Sequence, residues 1–190
     1  QTCALPICTL FFINMAKLRD VTYVGVDMDP EQIDKFNVRS KNWSEFYNLE
    51  IHNCTGEHYL ENTNRKFSIV YLDNFDWNYW KNLEGGLIPK QSQRYHLIMK
   101  TELTNVNSQI SHLIQAILLQ DCLTPNALIM CDDTWWCTDN MVYLGKCSAA
   151  IPYLIHMGFE IVHQEGGGHN PPSCVILTKS SKHARLQYIH

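Results

Sequence analysis

Apolar positions in this chain follow two alternating periods. Short unbroken apolar runs read as buried strands; between them, apolar residues recur every three or four positions and read as amphipathic helices. "TLFFINMAKLR" (9–19) is of the second kind, with Leu10, Phe11, Met15 and Leu18 near helical spacing and Lys17 and Arg19 in its last turn. "VTYVGVD" (21–27) is of the first kind. Asp29 then supplies a helix N-cap and Pro30 a first helical residue, with Ile33 and Phe36 as the apolar face. "LEIHNC" (49–54) and "FSIVYLD" (67–73) are further strands. Residues 74–101, rich in Asn, Trp and Tyr and containing Gly85, Gly86 and Pro89, read mostly as loop. Val106, Ile110, Leu113, Ile114, Ile117 and Leu118 mark the strongest amphipathic helix. "TPN" (124–126) reads as a turn, "ALIMCDD" (127–133) as a strand, and 148–157 as a helix with Pro152 in its first turn and Gly158 as its stop. "FEIVHQ" (159–164) and "CVILTK" (174–179) form a hairpin around the long loop "EGGGHNPPS".

This alternation predicts an α/β fold: an open, doubly wound, mostly parallel sheet with helices on both faces and a C-terminal antiparallel hairpin. Sheets of this kind bind ligands at the carboxyl ends of their strands. Acids recur there: Asp27, then Asp73, then Asp132 with Asp133.

Composition narrows the classes. The chain has 190 residues, 45% of them hydrophobic and 18% charged, ordinary for one globular domain. Its formal net charge of −4 gives no support to a nucleic-acid or anionic-membrane surface, so neither partner is expected. The apolar runs are too short to span a bilayer. Eight cysteines form no CxxC pair. Reduced thiols in a cytoplasmic setting are therefore expected, and zinc is not. The opening "QTCALPI" back-translates to CAG-ACG-TGT-GCT-CTT-CCG-ATC, a common sequencing adapter. Residues 1–7 are accordingly expected to be foreign, 8–180 to form the single domain and 181–190 to be a tail.

The motifs resemble those of class I S-adenosylmethionine-dependent methyltransferases, which have a Rossmann-like fold. "YVGVDMDPEQIDKF" is similar to the segment whose acid holds the cofactor ribose. "KFSIVYLDNFDW" looks like the fourth strand and its acidic end. "CLTPNALIMCDDTWW" looks like the fifth, with Asn126 and Ala127 in place of two glycines, and "IPYLIHMGFEIV" with "CVILTK" like the last helix and final strand pair. The resemblance covers residues 9 to 179. The family's first strand and glycine loop have no counterpart, so both are expected to be missing upstream of "TLFF".

The resemblance implies cofactor contacts from Asp27, Met28, Thr55, Gly56, Asp73 and Asn74, with S-adenosylmethionine as methyl donor. Met28 follows the ribose acid, while Thr55 and Gly56 stand where the adenine would lie, unless they form an ordinary turn. Asp27 otherwise reads as a loop acid, but Asp29 is the better cap. Asp73, Asp132 and Asp133 would repel one another and call for a counter-charge. A subset of the family, O-methyltransferases of sugars and natural products, holds a divalent metal with this pattern. That implies Mg2+ at Asp73, Asp132 and Asp133, activating an acceptor hydroxyl. Otherwise Asp73 contacts the cofactor, Asp132 caps a helix and Asp133 faces water. Asp73 and Asp76 are the candidate catalytic acids. Trp77, Tyr79, Trp80, Trp135 and Trp136 either wall an acceptor pocket or pack loops. His163 or His169 could act as a general base and Lys146 could recognise substrate, but packed or exposed histidines and a solvated lysine are the default readings.

The expected activity is thus methyl transfer to an oxygen of a small-molecule or glycan acceptor. A nicotinamide-dependent oxidoreductase, which also places an acid after its second strand, and a non-catalytic fold remnant are the alternatives.

Overall fold

A computed structural model describes residues 7–41, 48–77, 87–98, 100–164 and 173–179. The expected foreign segment (all but Ile7), the tail, Tyr79, Trp80, Gly85, Gly86, His169 and all but Ser173 of the 165–173 loop lie outside the described residues. Helix α1 (Ile7–Leu18) leads into strand β1 (Tyr23–Val26), helix α2 (Pro30–Ser40) and strand β2 (Leu49–His52). Helix α3 (Gly56–Asn62), strand β3 (Phe67–Leu72), and helices α4 (Leu87–Ile98) and α5 (Asn105–Leu118) follow. Strand β4 (Leu123–Asp132), a hairpin of β5 (Thr134–Cys137) and β6 (Val142–Gly145), helix α6 (Ala150–His156), and strands β7 (Phe159–Gln164) and β8 (Cys174–Lys179) complete the chain.

β3 and β4 pair in parallel, β4 and β8 antiparallel, and β8 and β7 antiparallel. Three of these four strands therefore run the same way and only β8 is reversed. β1 and β2 form a separate parallel pair, and among the described residues neither β1 nor β3 has a partner on its other edge. Helix α1 touches both edges: it contacts β1, and its Phe12 ring lies 5.2 Å from that of Tyr71 on β3.

The predicted strands and helix starts fall where periodicity put them. Asp29 caps α2 by accepting from the Glu31 N–H at 3.0 Å, with Pro30 as first helical residue. Asn126, in place of the family's glycine, adopts φ 61°. Asparagine tolerates this left-handed region, so the expected turn is instead an irregularity within β4, whose register against β3 shifts there.

Three elements depart from expectation. α4 is helical across what reads as loop, and Pro89 falls in its first turn, where proline is tolerated. α3 and the β5–β6 hairpin are too short to show a period.

α5 forms as expected, but it buries its polar side. Ser108, His112, Gln115 and Ala116 are buried, while Val106, Ile110, Ile114 and Ile117 stay 40–61% exposed. Polar groups on this side bond to neighbouring elements: Gln115 donates to Glu57 on α3 at 3.2 Å, Ser111 also donates to Glu57, and Gln109 donates to Ser148 at 2.6 Å. The apolar core lies elsewhere, between β3, β4, β8, α5 and α6, built on Leu72, Ile129, Ile151, Leu154, Val175 and Leu177. No helix among the described residues is long and apolar enough to cross a membrane.

Candidate functional site

The strand ends bring the acids together. Asp73 follows β3, Asp132 ends β4 and Asp133 follows it; one carboxylate oxygen from each lies within 4.8 Å of the others. Asp27, at the tip of β1, is near enough to Asp73 and Asp76 to feel both charges.

Local backbone geometry sets these positions. In "DNFD", Phe75 is held at φ 63°, a strained conformation for a bulky residue, and its buried ring packs 4.7 Å from that of Tyr95 on α4. The Asp76 N–H donates to the Tyr95 hydroxyl at 2.7 Å. Asp133 takes φ 46°, which turns the chain out of β4 and into the hairpin. The hairpin returns at Gly145, φ 98°, where a Cβ would come within 1.9 Å of the Asp133 carbonyl oxygen. Only glycine fits that approach. Lys146 N–H then donates to Asp133 O at 3.0 Å, and Cys147 N–H to Thr134 Oγ1 at 3.0 Å.

This return delivers the residue that sequence reasoning misplaced. Lys146 is not solvated; it is only 4% exposed. Its Nζ lies 2.6 Å from Asp73 Oδ1, 3.0 Å from Asp133 Oδ2 and 3.9 Å from Asp132 Oδ2. Burial pulls its pKa down, but Asp73 and Asp133 outweigh that and hold the ammonium firmly protonated. No local periodicity marks it, because the hairpin that carries it does not show in the sequence. The counter-charge expected at these acids is thus a side chain, and the donor set does not fit a divalent ion while that ammonium stands among it.

One lysine does not neutralise the region. Asp132 is pushed up to about 7 by burial and by Asp73 and Asp133, with Lys146 opposing. Asp76 is raised, first by burial and then by Asp73, against Lys146 and Tyr95. Crowding by protein is the largest push on Asp27, raised to about 6, with Arg94 opposing and Asp76 and Asp73 adding. Asp27 nevertheless reaches solvent, and water screens part of that effect. Asp27 also has a structural contact not expected from the sequence: its Oδ1 accepts from the Asp29 N–H at 2.8 Å. Arg94, from α4, pairs with Asp29.

Beside the acids is a cavity of about 370 Å³ lined by Met28, Thr55, Asn74, Phe75, Ile110 and Ile114, among others. Three expected cofactor residues, Met28, Thr55 and Asn74, therefore share one wall. The α5 residues Ile110 and Ile114 were not expected there, because periodicity does not tell which face of a helix turns outward. Gly56 is not in the lining: a Cβ on it would meet Gln115 Nε2 at 2.8 Å, so it serves the close packing of α3 on α5. Thr55 also caps α3, accepting from the His58 N–H at 3.1 Å. Of the expected aromatic wall, Trp77 and Trp135 meet edge to face at 6.5 Å, while Trp136 packs on Tyr143 within the hairpin.

The split sheet, with its reversed β8 and acid-tipped strands, is the Rossmann-like fold of the class I S-adenosylmethionine-dependent methyltransferases. Among solved structures, the chain is similar to a candidate methyltransferase from Streptococcus mutans in complex with S-adenosylhomocysteine, at TM-score 0.53 and 8% identity, over 88% of this chain and 82% of that one. It is also similar to a candidate rRNA methylase from Clostridium thermocellum, at TM-score 0.52 and 9% identity, over 85% and 76% of the two chains. An rRNA methylase from Streptococcus thermophilus matches at TM-score 0.50 and 13% identity, over 87% and 79%. No family model and no curated protein matches the chain by sequence.

These neighbours correct one expectation. Nucleic acid was excluded as a partner on net charge, yet rRNA methylases are among the structures that share the fold. A net charge of −4 is a sum over the whole chain and does not describe any one face of it.

Proposed function

We propose that this chain is an S-adenosylmethionine-dependent methyltransferase acting on an acceptor oxygen. The observation that carries this reading is the cluster of Asp73, Asp132 and Asp133, with Asp27 in electrostatic reach of Asp73 and Asp76, next along the chain to Met28, Asn74 and Phe75, which line a cavity with Ile110 and Ile114. Apolar walls suit a purine ring, and a carboxylate at a strand tip suits ribose hydroxyls. S-adenosylmethionine supplies an electrophilic methyl on a cationic sulfonium, which an acid-rich cleft favours electrostatically.

The residues have separable tasks. Asp27 accepts the ribose hydroxyls, and Thr55 and Asn74 flank the nucleoside. Asp73 holds the methionine end. Asp76, with its pKa raised by burial, is the group suited to take the acceptor's proton as the new carbon–oxygen bond forms and the carbon–sulfur pair returns to sulfur. Alignment of the nucleophile and exclusion of water supply most of the acceleration. The reading commits to the reacting atom, and the molecule that bears it is for the experiment to identify.

Calorimetric titration of the protein with S-adenosylhomocysteine and, separately, with NAD tests the class. We expect binding of the first alone, weakened about tenfold or more by Asp27→Asn. NAD binding without S-adenosylhomocysteine binding would replace the reading with the oxidoreductase, and binding of neither would leave a fold remnant. Transfer of a labelled methyl group to a panel of RNAs and hydroxylated small molecules then identifies the acceptor.

A further inference from the structure

We propose that Lys146 is the resident cation of the Asp73–Asp132–Asp133 cluster, standing where a divalent ion would. This deepens the methyltransferase reading, but the cation claim stands on the geometry alone.

Three observations carry it. The first is position: the ammonium makes close ion pairs with Asp73 at 2.6 Å and Asp133 at 3.0 Å, leaving Asp132 at 3.9 Å, outside hydrogen-bond reach. An ammonium has three donors. Two are spent, and among the described residues the nearest acceptor for the third is Asp132.

The second is immobility. The lysine is 4% exposed, so it does not reach bulk water. Its backbone is pinned by the Lys146 N–H bond to Asp133 O, by the left-handed turn at Gly145 and by the Cys147 N–H bond to Thr134 Oγ1. The main chain from which the side chain reaches the cluster is therefore fixed by the hairpin.

The third is charge. A divalent ion bridging these oxygens would need them as direct ligands at little over 2 Å. It would then sit against a fixed positive charge already bonded to two of the same residues. Ammonium and dication exclude each other here. A buried ammonium thus supplies the positive charge that a metal would otherwise bring to these carboxylates.

Mn2+ is the probe, followed by electron paramagnetic resonance on wild type, Lys146→Met and the Lys146→Met/Asp132→Asn pair. Wild type is expected to leave the Mn2+ spectrum that of the free ion. Lys146→Met, which keeps the apolar stem, is expected to gain a bound-ion spectrum at least about tenfold tighter than any wild-type signal, lost again in the double variant. A bound-ion spectrum in wild type that Asp132→Asn abolishes would overturn the proposal, as would folded Lys146→Met with no gain. Lys146→Gln makes the same test if the methionine variant does not fold. Titration with S-adenosylhomocysteine is read separately, so loss of the methyltransferase reading and loss of the resident cation give different results.

Discussion

The two pieces of sheet are held in different ways. Every residue of β1 and β2 is only partly buried, and the main apolar cluster takes no member from α1, β1, α2 or β2. β4 and β8, by contrast, carry Ile129, Cys131, Val175 and Leu177 at 0% exposure. The loosely packed piece bears Asp27 and Met28, which in the proposed reading meet the nucleoside. The tightly packed piece bears Asp73, Asp132 and Asp133, and the β5–β6 hairpin brings Lys146 to them. In that reading the nucleoside half is the one a ligand can order.

The sharpest way to break this contrast is to remove apolar volume from each side. Leu177→Ala is expected to cost about 2–5 kcal/mol in urea unfolding, the range for a fully buried leucine. Ile51→Ala, on the partly exposed β2, is expected to cost less than about half as much. Equal costs would mean that the two pieces share one core. Next in size is the ligand. At a hundredfold excess over its dissociation constant, S-adenosylhomocysteine is expected to stabilise the protein by about 2.7 kcal/mol. Amide exchange should slow most at Tyr23–Val26 and Leu49–His52 and least in β4 and β8. Uniform protection would argue against a separately ordered nucleoside half.

Gly145→Ala acts on the tight side by another route. It places a Cβ against the Asp133 carbonyl oxygen at a φ of 98°, and is expected to cost about 1–3 kcal/mol in thermal unfolding. It should also loosen Lys146 and weaken activity more than its stability cost explains. Activity lost only in step with stability would mean that the hairpin positions nothing.

How much of this was legible in the sequence follows from which interactions are local. The strand runs, the Asp29–Pro30 helix start and the acids at strand ends are local patterns, and the structure has them at those positions. Lys146 was not legible. It lies at the end of a hairpin whose strands have four residues each, and its partners Asp73 and Asp132 are distant in sequence. The outward apolar face of α5 was not legible either. Periodicity shows that a helix has two faces, whereas Glu57 and Ser148, on other elements, decide which face turns inward.

The smallest expected effect opposes two groups on the tight side. His112 is fully buried, its Nδ1–H donates to the Ser108 carbonyl at 2.7 Å, and its Nε2 has no partner among the described residues. Burial and Lys146 lower its pKa to about 4, against pulls in the other direction from Ser108, Asp73 and Glu57. The unfolded chain therefore takes up this proton first as pH falls from about 6.5, and stability is lost, by about 1 kcal/mol over the first pH unit. Asp132, raised to about 7, has the opposite sign: between about pH 4 and pH 7 the folded state holds its proton and the unfolded state does not. Acidification across that window therefore adds stability. In wild type the two slopes offset each other between about pH 6.5 and pH 4. Asp132→Asn should expose the histidine, giving a protein that melts earlier as pH falls. His112→Gln should expose the acid, giving one that melts later. Melting temperatures at half-unit intervals of pH read both slopes, and a variant pair whose profiles stay parallel to wild type would show that neither group titrates in the folded core as its surroundings require.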